Sequence, residues 1–181
     1  MSVYRTLVPW AELFRSGNSV TSIFGVALGS ILASQGLPSG DFAIITALHC
    51  LSVMTFMFSW NALNDFMDIE IDRINRPDRP LPSGEISKVA ASRGILFTAV
   101  LSVSFLIVAA YVSHSGEIGL DGWLPSLAIW MLALLLLFNY ESPSKLSFRM
   151  KDKGLPGNLA ISMSVGLVIV FGAASVSDPL D

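Results

Sequence analysis

Three aspartates close an apolar stretch that is otherwise uncharged, in the run Asn64-Asp65-Phe66-Met67-Asp68-Ile69-Glu70-Ile71-Asp72. At ~100° per residue of helix, Asn64, Asp68 and Asp72 fall at about 0°, 40° and 80°, Asp65 at about 100° and Asn61 at about 60°. These oxygen-bearing side chains then share one narrow face, and Glu70 points away from it. Carboxylates three or four residues apart repel by roughly 0.2–0.5 kcal/mol per pair in water, and by more where solvation is lost near a membrane. Something cationic must offset that repulsion. Hard oxygen ligands on one face suit Mg²⁺, which takes carboxylates together with the oxygens of a bound phosphate. A merely solvated helix end is the ordinary alternative; the uncharged span before the cluster and the loop after it weigh against it.

The elements that must hold this face are membrane spans. Hydrophobic residues make up 52% of the 181 and charged ones 14%, with a mean hydropathy of +0.64. Five stretches, roughly 17–35, 42–63, 95–113, 122–140 and 154–176, are long enough to cross a hydrocarbon core and contain no Lys, Arg, Asp or Glu. They are apolar nearly all round, unlike the two-faced helices of a soluble bundle. The expected fold is an all-α membrane protein, a bundle of about five transmembrane helices in one domain over residues 1–181. The third helix is expected to begin near Ser87, with Arg93 at the interface. The first sixteen residues are mixed and do not read as a cleavable signal peptide.

Orientation follows from the basic residues. Arg5 and Arg15 precede the first span; Arg73, Arg76, Arg79, Lys88 and Arg93 lie between the second and third; Lys145, Arg149, Lys151 and Lys153 lie between the fourth and fifth. These account for every Lys and Arg, and the opposite connections near 36–41 and 114–121 carry none. The positive-inside rule places the N terminus and the aspartates in the cytoplasm of a multi-pass cell-membrane protein. Membrane lipids are its expected surroundings, and no nucleic-acid partner is expected.

Two loops on that side are complementary. In the first, about 65–87, Pro77, Pro80, Pro82 and Gly84 stop the helix. They predict a compact loop that folds its arginines back toward the helix end. The second, about 141–153, is basic. A Mg²⁺ cluster beside Arg and Lys is what a diphosphate needs, because metal bridges its oxygens and the bases neutralise the remaining charge.

Residues Asn61 to Gly84, with Asn64-Asp65-x-x-Asp68-x-x-x-Asp72 followed by Arg73-x-Asn-Arg76-Pro-x-Arg79-Pro-Leu-Pro-Ser-Gly84, resemble the first aspartate-rich motif of the UbiA-type intramembrane prenyltransferases. Within that family the loop most resembles the archaeal geranylgeranylglyceryl-phosphate geranylgeranyltransferases. Tyr140, Lys145 and Gly157-Asn158 resemble the family's next cytoplasmic stretch, and Glu12-Leu-Phe-Arg15-Ser-Gly-Asn18 its first-helix entry. The resemblance implies nine spans and a second aspartate-rich loop. The chain carries five spans and no second acidic cluster, Asp178 and Asp181 falling on the other side; the N-terminal portion of such an enzyme is therefore expected, with little activity alone.

The resemblance also implies a mechanism. Asn64, Asp68 and Asp72 would hold Mg²⁺ on a prenyl diphosphate, supported by Asp65. Arg76, Arg79, Lys145 and Lys151, with Asn18 at the first-helix entry, would bind the diphosphate, and Tyr140 would face the reacting centre. The prenyl group, a geranylgeranyl chain, would pass to a lipid-like acceptor, geranylgeranylglyceryl phosphate, in archaeal ether-lipid synthesis. Alternatives are an aromatic, quinone, chlorophyll or haem acceptor, or a non-catalytic membrane protein that binds lipid diphosphates. Arg76 and Arg79 could also pair with Asp78 or lipid headgroups, and Lys151 could serve topology alone.

Other residues read as structural. Gly25-x-x-x-Gly29 and Ala33 form a small-residue stripe for close helix approach. His49 and the lone Cys50 lack neighbours at metal-ligand spacing. Trp10 suits interfacial anchoring.

Overall fold

Apolar stretches of this length become helices because hydrocarbon offers no other partner for backbone N–H and C=O groups. The computed structural model describes residues 2–116, 119–141 and 146–176, with side chains from residue 7 onward. All its regular structure is helical among those residues: α1 (Ser2–Leu13), α2 (Ser16–Ser34), α3 (Gly40–Met67), α4 (Ile69–Asn75), α5 (Lys88–Ser115), α6 (Gly119–Glu141) and α7 (Leu155–Ala174), plus a 3-10 turn at Met150–Lys153. The five spans expected from the sequence are α2, α3, α5, α6 and α7, each long and apolar enough to cross a membrane. The chain is a multi-pass membrane protein.

Helix α1 is an element the sequence pattern did not suggest. It is too short to span, its residues are mixed, and it carries Pro9 internally. Arg15 then takes a left-handed backbone conformation, φ 45°, and separates α1 from α2. A non-glycine residue held there costs on the order of 1–3 kcal/mol, so its surroundings must compensate.

The chain divides into two compact units, residues 1–23 with 51–105, and residues 24–50 with 106–181. In the first, Leu13 of α1, Ala62 of α3, Ile69 of α4, Leu81 and Ile86 of the following loop and Ala91 of α5 make one core. That cluster joins α1, α3, α4 and α5 to the loop, so the loop is packed into the same core as those helices. Trp10 packs its indole over Gly94 of α5 and lies 5.3 Å from the Phe14 ring, so it is part of this packing rather than a free interfacial anchor. Ser52 and Ser102, both fully buried, exchange hydroxyl-to-carbonyl bonds at 3.0 and 2.9 Å.

In the second unit, small residues set the spacing, as the sequence stripe suggested. A Cβ at Gly29 would overlap the Ile169 carbonyl oxygen, and one at Gly172 the Val26 carbonyl oxygen, so α2 and α7 meet backbone to backbone. Ala33 is exposed. Helix α6 packs along α7, and the 3-10 turn packs on both. His49 is buried, its Nδ1 2.8 Å from the Ile45 carbonyl and its ring 4.2 Å from that of Phe171. It is a packing residue, as expected.

Candidate functional site

The acidic run lies where α3 passes into α4. The sequence suggested one helix through Asp72; instead Asp68 adopts φ −91°, ψ 10° and forms a turn between two helices. The hydrogen-bond register survives the turn. The Asp68 N–H donates to the Asn64 carbonyl at 3.0 Å, Asp72 to Asp68 at 2.8 Å and Arg76 to Asp72 at 2.7 Å. Four-residue steps are thus kept, which holds Asn64, Asp68 and Asp72 on one side of the path. Asn64 and Asp68 are half-buried, and Asp65 and Asp72 are buried.

The proline loop does what the sequence predicted for one of its arginines. Pro80 is fully buried, with Leu81 and Ile86 in the core beside it. Turn bonds from Ser83 N–H to the Arg79 carbonyl (2.9 Å) and from Ile86 N–H to the Pro80 carbonyl (3.0 Å) close the loop. With that anchor set, Arg79 reaches back across the helix end. Its Nη1 donates to Asp72 Oδ2 at 2.8 Å and to Asp65 Oδ1 at 3.1 Å. Arg15, from the elbow between α1 and α2, donates to the same Asp65 oxygen at 2.6 Å. Asn61 completes the elbow: its Nδ2 donates to the Phe14 carbonyl at 3.2 Å and lies 3.1 Å from Ser19 Oγ. Two carboxylates that could not be buried ionised by themselves are therefore stabilised by two guanidinium groups.

The remaining first-loop cations face outward. Arg76 is exposed and makes no ion pair among the described residues. Arg73 and Lys88 both pair with exposed Glu70, at 2.8 and 3.5 Å. Asn18 is exposed on the first turn of α2.

The second loop is built differently. Tyr140 and Glu141 end α6, and the buried Glu141 carboxylate accepts a hydrogen bond from Lys151 of the 3-10 turn. Lys151 thereby ties that turn to α6. Arg149 pairs locally with Asp152 at 3.1 Å. Lys145 lies outside the described residues, as do Asp178 and Asp181.

Arg15 and Glu141 are the residues that sequence reasoning did not place. Arg15 was visible only as part of the first-helix entry and as a topology signal, and its partner lies fifty residues on. Glu141 had a readable cue, a carboxylate ending an apolar span beside a basic loop.

The donor set fits Mg²⁺ by its chemistry: two carboxylates and an amide at four-residue steps, needing completion by substrate oxygens or water. Among the described residues, no three His, Cys, Asp or Glu side chains are gathered into a cage by themselves. Arg79 already engages one oxygen of Asp72.

Comparison with known proteins identifies the family. The chain is 33% identical over 174 residues to digeranylgeranylglyceryl phosphate synthase of Methanobrevibacter smithii, covering 95% of this chain and 54% of that protein. It is 31% identical over 171 residues to the synthase of the same name from Methanococcus aeolicus, covering 93% and 53%. A solved structure from a study of digeranylgeranylglyceryl phosphate synthase in membranes superposes with a TM-score of 0.70 at 30% identity, covering 97% of this chain and 55% of that one. The chain thus spans about half the length of the curated relatives it matches. The profile of the UbiA prenyltransferase family matches residues 22–181, and the chain belongs to that family.

Proposed function

We propose that the protein acts in Mg²⁺-dependent transfer of a geranylgeranyl group from its diphosphate to geranylgeranylglyceryl phosphate in archaeal ether-lipid synthesis. The observation that carries this reading is the Arg15–Asp65–Arg79–Asp72 network at the α3–α4 junction, in a family member whose relatives are named for that product. Asn64, Asp68 and Asp72 would hold the metal, and Asp65 supports them by holding Arg15 and Arg79. Arg79 and Arg76 take up diphosphate charge, Arg79 from its fixed loop and Arg76 from the exposed face. Mg²⁺ held there would supply charge stabilisation to a leaving diphosphate, which favours ionisation of an allylic C–O bond. For Asn18, Tyr140, Lys145 and Lys151 the roles rest on the family resemblance: the first, third and fourth on the diphosphate, and Tyr140 toward the developing cation. The asymmetry of Lys and Arg supports a cytoplasmic location for this chemistry.

The test is transfer from radiolabelled geranylgeranyl diphosphate by the natural full-length protein and its Asp68→Ala variant. A loss of roughly 10²-fold or more is expected. Equal turnover by both would contradict the assignment.

A further inference from the structure

We infer that Arg79 is an exchangeable counter-ion: it holds Asp72 until a diphosphate arrives, so that metal and diphosphate load cooperatively and the metal alone binds poorly. This rests on the proposed function and concerns how that site fills.

The two buried aspartates differ in what would remain if Arg79 left. Asp65 would keep Arg15, at 2.6 Å on the same oxygen. Asp72 has no ion-pair partner but Arg79 among the described residues. Its side chain is 8% exposed and that of Arg79 23%, so an ionised Asp72 stripped of its partner would be poorly solvated. Arg79 therefore stays on Asp72 until another cation replaces it.

A divalent ion approaching Asp72 meets that guanidinium on the same carboxylate, and the like charges oppose each other at short range. The conflict disappears when Arg79 gains an anion of its own. Guanidinium binds phosphate oxygens through paired hydrogen bonds. A metal-bound diphosphate thus supplies Asp72 with a cation and Arg79 with an anion in one event. The backbone need not move, because Pro80 and Leu81 anchor the loop in the core. The exchange is a side-chain swing. By linkage, the factor by which diphosphate raises metal affinity equals the factor by which metal raises diphosphate affinity.

The experiment measures Mn²⁺ uptake by electron paramagnetic resonance, using the natural full-length protein in nanodiscs. Wild type, Arg79→Gln and Arg79→Gln/Asp72→Asn are compared without diphosphate, and wild type again with geranylgeranyl diphosphate. Without diphosphate, Arg79→Gln is expected to bind Mn²⁺ roughly tenfold more tightly than wild type, a typical coupling factor, with the gain lost in the double variant. Wild type should gain a similar factor on adding the diphosphate. Should Arg79→Gln fold poorly, the neutral, bulkier Arg79→Met takes its place in the same comparison. Mn²⁺ affinity without diphosphate that is the same in Arg79→Gln as in wild type, while wild type still gains on adding the diphosphate, overturns the exchange while leaving the proposed function standing. Absence of Mn²⁺ uptake even with diphosphate overturns both.

Discussion

The loops over 65–87 and 141–153 carry similar numbers of Lys and Arg, three and four, and use them in different ways. At the α3–α4 junction, Asp65 and Asp72 are shared among arginines from separate segments: Arg15 from the α1–α2 elbow and Arg79 from the proline loop. After α6, the described pairs all lie between Glu141 and Asp152, with no partner from a distant segment. Lys151 meets Glu141 ten residues back, and Arg149 meets Asp152 within its own turn. Arg15, fifty residues from Asp65, brings charge from a distant segment to the place that Arg79 also reaches, and that convergence suits a multiply charged ligand. Local pairs fasten a loop to the helix it leaves. The first arrangement is a candidate for chemistry, and in the second the described pairs anchor the turn that carries Lys151.

Substitutions can break or sharpen that contrast. The largest effect is expected from Asp72→Ala, which removes a proposed metal ligand together with the partner of Arg79. Prenyl transfer should fall by roughly 10²–10³-fold, as when a preorganised stabilising group is lost. Asp65→Asn comes next. It leaves Arg15 and Arg79 without their shared charge and should destabilise the first unit by on the order of 3 kcal/mol, read as a lower thermal midpoint in detergent. Glu141→Gln should cost only about 1 kcal/mol, because Lys151 keeps partial access to water, and should alter transfer less than Asp65→Asn does. A larger loss of transfer there would favour the diphosphate role proposed for Lys151 over its anchoring of the turn. Arg73→Ala should be nearly silent, below about 0.5 kcal/mol, since its pair with Glu70 is exposed.

The spans and the acidic face were legible because each depends on short-range pattern. An uncharged run of ~20 residues needs a helix in hydrocarbon, and four-residue spacing puts Asn64, Asp68 and Asp72 on one side. Even the return of Arg79 could be read from its prolines. Three features were hidden. Helix α1 has no span-length apolar run and contains Pro9; its place is set by Leu13 and Trp10 packing onto α3 and α5 residues far along the chain. The turn at Asp68 leaves no mark in the spacing, because the hydrogen-bond steps on either side continue at four residues. The pairing of Arg15 with Asp65 depends on a left-handed elbow that hydropathy and charge counting do not encode.

The central claim is that the carboxylates at the α3–α4 junction hold a magnesium-bound prenyl diphosphate. Titration calorimetry of geranylgeranyl diphosphate into the natural full-length protein, with Mg²⁺ and then with a chelator, tests it most directly. The account predicts saturable binding with Mg²⁺ that weakens by at least roughly tenfold, about 1.4 kcal/mol, on chelation, and that is lost in Asp68→Ala/Asp72→Ala. Binding of equal strength with and without the metal, or unchanged in that double variant, would contradict it.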